Sequence, residues 1–170
     1  MRKIILITAL VTCMAFVSCN QKAEENTTST IATEVQNLEL TTLKDRQKLE
    51  DDNKKVVADF YQSLFGDKDL TAIDKYIDEG YIQHNPTVAD GRTAFKEAAS
   101  HWFVDAPKEK IDIQHIGADG DFVYIHLKNK EQGKVTSVID IFKLKDGKIM
   151  EHWDVMQDVP AKAANEHPMF

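Results

Sequence analysis

An aspartate stands in the middle of Val138-Ile139-Asp140-Ile141-Phe142, a run otherwise wholly apolar. A carboxylate in such a segment is costly unless it is paired, hydrogen-bonded or facing a wet cavity. Further along, His152 and Asp154 lie two positions apart, so on a strand they share a face. Grouped together, these side chains could carry proton transfer. Apolar surroundings raise the pKa of a carboxylate by desolvation and make it a better base near neutrality. A neighbouring imidazole or protonated acid could then donate a hydrogen bond to a developing enolate. His84, in the loop before Pro86, and His126, on a face with Phe122 and Tyr124, are further candidates for that donation.

Whether Asp140 shares the face of His152 and Asp154 depends on the turn at Asp146-Gly147. A two-residue loop pairs Lys145 with Lys148 and sets Asp140 opposite Trp153. A three-residue loop with a left-handed bulge at Gly147 pairs Leu144 with Lys148 and sets Asp140 opposite His152. The bulged form gathers all three polar groups on one side and is the preferred expectation, although the residues permit either.

The elements that would position these groups follow from periodicity. Between Lys44 and Phe65, Leu49, Val56, Val57, Phe60, Tyr61, Leu64 and Phe65 form one stripe of an amphipathic helix that Gly66 stops. Asp69 can cap a short second helix over 70–76, with Ile73 and Ile77 facing inward. Tyr81-Ile82-Gln83-His84 reads as a short extended piece ended by Asn85-Pro86, and Asp90-Gly91 opens a third helix over 92–103. After Pro107 the period becomes two. Four strands follow, separated by turns at Ala118–Asp121, Gln132-Gly133 and Asp146-Gly147. Three helices followed by an antiparallel meander predict an α+β fold with helices on one side of a sheet.

The chain has 170 residues, enough for one such domain and a targeting segment. Residues 1–18 hold Arg2, Lys3 and no acid, so removing them leaves 19 of the 21 basic residues against 28 acidic ones. That balance argues against a phosphate-backbone binder, which needs clustered Lys and Arg, and gives no attraction to anionic lipid. Nucleic acid is therefore not an expected partner. The apolar run Ile4–Val17 is shorter than the roughly twenty residues of a spanning helix and has the make-up of a secretory signal. Its end, Phe16-Val17-Ser18-Cys19, resembles the lipobox of bacterial lipoproteins, which implies cleavage before Cys19 and lipidation of its thiol. The only other cysteine, Cys13, falls inside the removed segment, so the mature domain has no thiol for a disulfide or a Cys-ligated metal. The expected organisation is a signal peptide over 1–18, a flexible tether over 19–43 and a domain over 44–170. The domain would be lipid-anchored in a bacterial cell envelope, on the periplasmic side or the cell surface.

Several short motifs, in order, carry a family resemblance: Tyr81-Ile82-Gln83-His84-Asn85-Pro86, Asp90-Gly91-Arg92, Asp140-Ile141-Phe142, Asp146-Gly147-Lys148-Ile149 and Glu151-His152-Trp153-Asp154. From about residue 50 to the end the chain resembles the SnoaL-like branch of the nuclear transport factor 2-like superfamily. Its close, Val159-Pro160 to Met169-Phe170, is similar to bacterial members described as aldol-condensation enzymes. The resemblance implies a cystatin-like α+β cone, a curved mixed or antiparallel sheet wrapped around three N-terminal helices, with a pocket at the wide end. It implies cofactor-free aldol chemistry with an acid/base aspartate at the His-x-Asp position, here Asp154. Asp140 falls where the cyclases carry a polar pocket residue. Val138 replaces a pocket glutamine, a departure from polycyclic ketide substrates. The candidate catalytic residues are thus Asp154, Asp140 and His152, and the candidate substrate-binding residues are His84, Asn85, His126 and Tyr124. No cofactor or metal is expected, since a set such as His84, His126, His152 and Asp154 has no tight ligand spacing. Two readings stand: a lyase or isomerase acting on a small carbonyl compound, and a non-catalytic module binding a small ligand or a protein. Many relatives pair through the outer sheet face, so a homodimer is expected.

Overall fold

The computed structural model describes residues 14–131 and 133–170. The chain divides into two compact units, Met1–Asp45 and Arg46–Phe170. Helix α1 (Met14–Tyr61) begins in the first and ends in the second. Most of the signal segment, Met1–Cys13, lies outside the described residues, while Met14–Cys19 belongs to α1. The segment expected as a flexible tether is helical here, because neither Gly nor Pro occurs between Cys13 and Gly66 to break the backbone ladder. No described helix is long and apolar enough to cross a membrane.

In the second unit, α1 buries Val57, Phe60 and Tyr61 and the turn after it buries Leu64, whereas Leu49, expected on the same stripe, is exposed. A π-helical turn (Gln62–Gly66) closes the helix. Gly66 is required there, because a Cβ would lie 2.8 Å from the Glu109 carbonyl oxygen. Helix α2 (Thr71–Tyr76) starts where the Asp69 carboxylate accepts the Thr71 amide at 2.9 Å. Helix α3 (Arg92–Trp102) follows Gly91 and packs Phe95 and Ala99 inward, while Trp102 stays half exposed. Phe60 is the centre of the core, with Tyr61, Phe65, Tyr76, Phe95 and Phe142 around it at ring separations of 6.1 to 6.5 Å.

The sheet has five strands rather than the four-stranded meander expected. These are β1 (Ile77–Gln83), β2 (Ile113–Asp119), β3 (Phe122–Glu131), β4 (Lys134–Lys145) and β5 (Lys148–Asp158), in spatial order β1-β5-β4-β3-β2. The extra member is the extended piece before Asn85-Pro86. It adds to the free edge of β5 in parallel, with Gln83 beside His152 and the His84 amide donating to the His152 carbonyl at 2.9 Å. Helices and a curved mixed sheet thus make an α+β cone. One sheet face packs on the helices through Val123, Ile125, Phe142, Leu144 and Ile149.

At Asp146-Gly147 the turn is the two-residue alternative and not the preferred three-residue loop, but its register does not persist along the strands. Lys145 pairs with Lys148 across a two-residue turn whose central residues both have positive φ, 51° and 74°. The ladder then shifts by one residue beyond Leu144, leaving Met150 extra and pairing Lys143 with Glu151. A two-residue turn alone would have sent Asp140 to the opposite face from His152 and Asp154. The bulge restores the parity and sets Asp140 directly across from Asp154.

Candidate functional site

Asp140 faces the helices from the middle of β4 and is 2% exposed. Its two oxygens are both used: Oδ1 lies 2.8 Å from His152 Nε2, and Oδ2 accepts the hydroxyl of Tyr61 from the end of α1. His152, one diagonal position away on β5, lies against the ring of Phe142 and places Nδ1 2.8 Å from Gln83 Oε1 on β1. Gln83 in turn accepts the Asn85 amide at 3.0 Å and donates to the Tyr81 hydroxyl at 3.2 Å. Asp154 Oδ2 accepts Asn85 Nδ2 at 2.6 Å, and its Oδ1 has no partner among the described residues. Three strands and one helix therefore contribute to one polar cluster on the inner face.

Two carboxylates directly opposite on neighbouring strands repel each other unless one is compensated. Here the compensation falls on Asp140, through His152 and Tyr61. Burial first, and then the charge of Asp140, holds the Tyr61 phenol well above its ordinary pKa, so it remains a donor. Burial, followed by the charges of Asp140 and Asp154, raises Tyr81 in the same way. Among the described residues, Asp140, His152 and Asp154 form the group of three that could hold a metal, each bringing one ligand atom within 4.8 Å of the others. A metal there would have to displace the His152–Asp140 hydrogen bond.

Of the seven residues expected to meet substrate, the structure brings Asp140, His152, Asp154 and Asn85 together. His84, Tyr124 and His126 need correction, because all three lie on the other face of the sheet. Tyr124 pairs with Ile141 and His126 with Ile139, so they alternate with the inward Val123, Ile125 and Leu127. His126 bonds Ser137 Oγ at 2.8 Å and lies beside His115. His84 stacks on Trp153 at 4.2 Å and bonds Glu151 at 3.1 Å. Hydrogen bonds from Lys143 and then from His84 hold the Glu151 carboxyl below its ordinary value. Histidine chemistry drew attention to His84, but strand alternation selects Tyr81, Gln83 and Asn85 as the inward set. That signal was present in Tyr81-Ile82-Gln83-His84-Asn85. Tyr61 carried no comparable signal, since a tyrosine on an apolar helical stripe reads as core. The side chain of Cys19 lies outside what is described.

The SnoaL-like polyketide cyclase profile matches residues 55–165. The chain belongs to that family. No curated protein sequence matches it. Solved structures share the fold at low identity. A nuclear transport factor 2-like protein of unknown function from Burkholderia xenovorans superposes with a TM-score of 0.54 at 17% identity, covering 70% of this chain and 91% of that one. A candidate polyketide cyclase from Acidithiobacillus ferrooxidans gives 0.51 at 20% identity, covering 62% and 87%. An epoxide hydrolase from M. tuberculosis gives 0.52 at 16% identity, covering 64% and 84%. This SnoaL-like chain thus shares its cone with proteins named for different reactions, so its own chemistry must be argued from its site.

Proposed function

We propose that this SnoaL-like chain catalyses cofactor-free acid/base chemistry on a small carbonyl compound, of aldol, lyase or isomerase type, with Asp154 as the base. The observation that carries this reading is the inequality of the two facing carboxylates. Asp140 has both oxygens engaged, whereas Asp154 has a single donor among the described residues, Asn85, and none at Oδ1. Asp154 Oδ1 would take a proton from the carbon next to the carbonyl, and the electron pair would move onto the carbonyl oxygen. The resulting enolate would then add to a second carbonyl or be reprotonated elsewhere. A positioned base of this kind contributes about 10²–10⁴ in rate. Anchoring in the cell envelope through a lipidated Cys19 belongs to the same proposal. It rests on Arg2-Lys3, the apolar run and Phe16-Val17-Ser18-Cys19.

A non-catalytic ligand-binding module is the second reading. It is favoured by the full hydrogen-bond satisfaction of the buried polar side chains described, which a merely structural network would also show. Native mass spectrometry of the wild type and of Asp154→Asn separates the two. A co-purified carbonyl compound consumed by the wild type and retained by the variant supports the enzyme. The same compound retained by both would overturn it in favour of binding.

A further inference from the structure

Two backbone amides fix the direction of nearly every proton in the cluster. The N–H of Asn85 meets Gln83 Oε1 at 3.0 Å and that of Thr87 meets Asn85 Oδ1 at 2.9 Å. A backbone N–H only donates, so both side-chain oxygens are acceptors and both amide groups have one orientation. Asn85 Nδ2 therefore donates to Asp154 at 2.6 Å, and Gln83 Nε2 to the Tyr81 hydroxyl at 3.2 Å. Gln83 Oε1 also faces His152 Nδ1 at 2.8 Å. An acceptor at that place requires the ring to bring a proton. His152 Nε2 and Asp140 Oδ1, 2.8 Å apart, then hold one further proton between them, on the ring or on the carboxyl.

We propose that Gln83 is the positioning residue of this site: it keeps His152 protonated at Nδ1 and turns the Tyr81 O–H away from itself, as a donor for a substrate oxygen. With Nδ1 committed, the buried set of Tyr61, Asp140 and His152 carries no net charge wherever the shared proton lies. Asp154 lies outside that set and accepts only from Asn85 among the described residues. Tyr81 accepts from Gln83 and gives its own proton to no described residue, so its hydroxyl is free to meet the oxygen on which an enolate develops. That last role rests on the acid/base reading above; the histidine tautomer does not.

The test is the ¹⁵N spectrum of the His152 imidazole in the full chain, assigned by its loss in His152→Gln. In the wild type Nδ1 carries a proton. A neutral ring protonated at Nε2 alone would overturn the proposal. Gln83→Glu keeps an acceptor for both the Asn85 amide and the ring, so Nδ1 stays protonated; loss of that proton would also overturn it. Gln83→Leu removes the acceptor, and the neutral ring moves its proton to Nε2, facing the Asp140 carboxylate. An unchanged Gln83→Leu spectrum would show that Gln83 does not set the tautomer. Should Gln83→Leu fail to fold, the wild type and Gln83→Glu still decide. None of these readouts needs turnover, so an inactive wild type with the expected tautomer would sink the enzyme reading alone.

Discussion

Asp140 and Asp154 carry the same functional group on facing positions, and their surroundings give them different hydrogen-bond partners. Asp140→Asn can keep both hydrogen bonds, with its NH2 donating to His152 Nε2 and its oxygen accepting Tyr61. Chemical denaturation should therefore show a loss of about 1 kcal/mol. Asp140→Leu leaves two buried polar partners unpaired and should cost about 2–4 kcal/mol. Asp154→Asn, on a half-buried side chain, should leave the unfolding midpoint nearly unchanged and remove turnover. The two buried phenols give a pH signature. Folding holds the protons of Tyr61 and Tyr81 more tightly than the unfolded chain does. Stability is thus maintained below the ordinary tyrosine value of about 10 and falls as the pH rises above it. Ultraviolet titration should show these two of the four tyrosines ionising only as the chain unfolds, and Tyr81→Phe should delete its share of that late step.

At the scale of elements, the β4–β5 hairpin decides which side chains meet. Its turn needs two consecutive positive φ values, which Asp146 tolerates and Gly147 adopts without strain. Gly147→Ala should destabilise by roughly 1–2 kcal/mol, read from thermal or denaturant unfolding, by forcing a Cβ into the left-handed region. Strand β1 and the residue that follows it contribute on two faces at once. His84 covers Trp153 on the outside, while Gln83 holds His152 on the inside. His84→Ala should therefore cost about 0.5–1.5 kcal/mol of stability through the lost stack and leave any activity intact. A large fall in turnover from that variant would mean that the outer face takes part in chemistry.

For the whole molecule, the cone explains how an acidic chain with no thiol in its domain can still assemble a buried polar cluster. The sheet brings residues 83, 140, 152 and 154 to one face, and α1 closes over them with Tyr61. The proposed anchor is independent of that cluster. Cys19→Ser should move the protein from the membrane fraction to the soluble fraction and leave the His152 spectrum unchanged. Wild-type protein found soluble and uncleaved would overturn the anchor without touching the site.

Much of this was legible in the residues. The switch from a helical period to alternation at Pro107 placed the helices before the four strands β2 to β5, because apolar spacing must match the geometry that buries it. Ordered motifs from Tyr81 to Asp154 pointed to the family. Asp140 betrayed itself as a carboxylate that an apolar strand could not hold uncompensated. Three matters waited for the tertiary structure. The bulge at Met150 set the parity of Asp140, since a single extra residue reverses every side chain beyond it, and local propensity does not say where it falls. The joining of β1 to β5 chose Gln83 over His84, because which face of an extended segment turns inward depends on the strand it pairs with. Tyr61 became a partner of Asp140 only through a contact 79 positions apart in the chain, which no spacing rule within one element can anticipate.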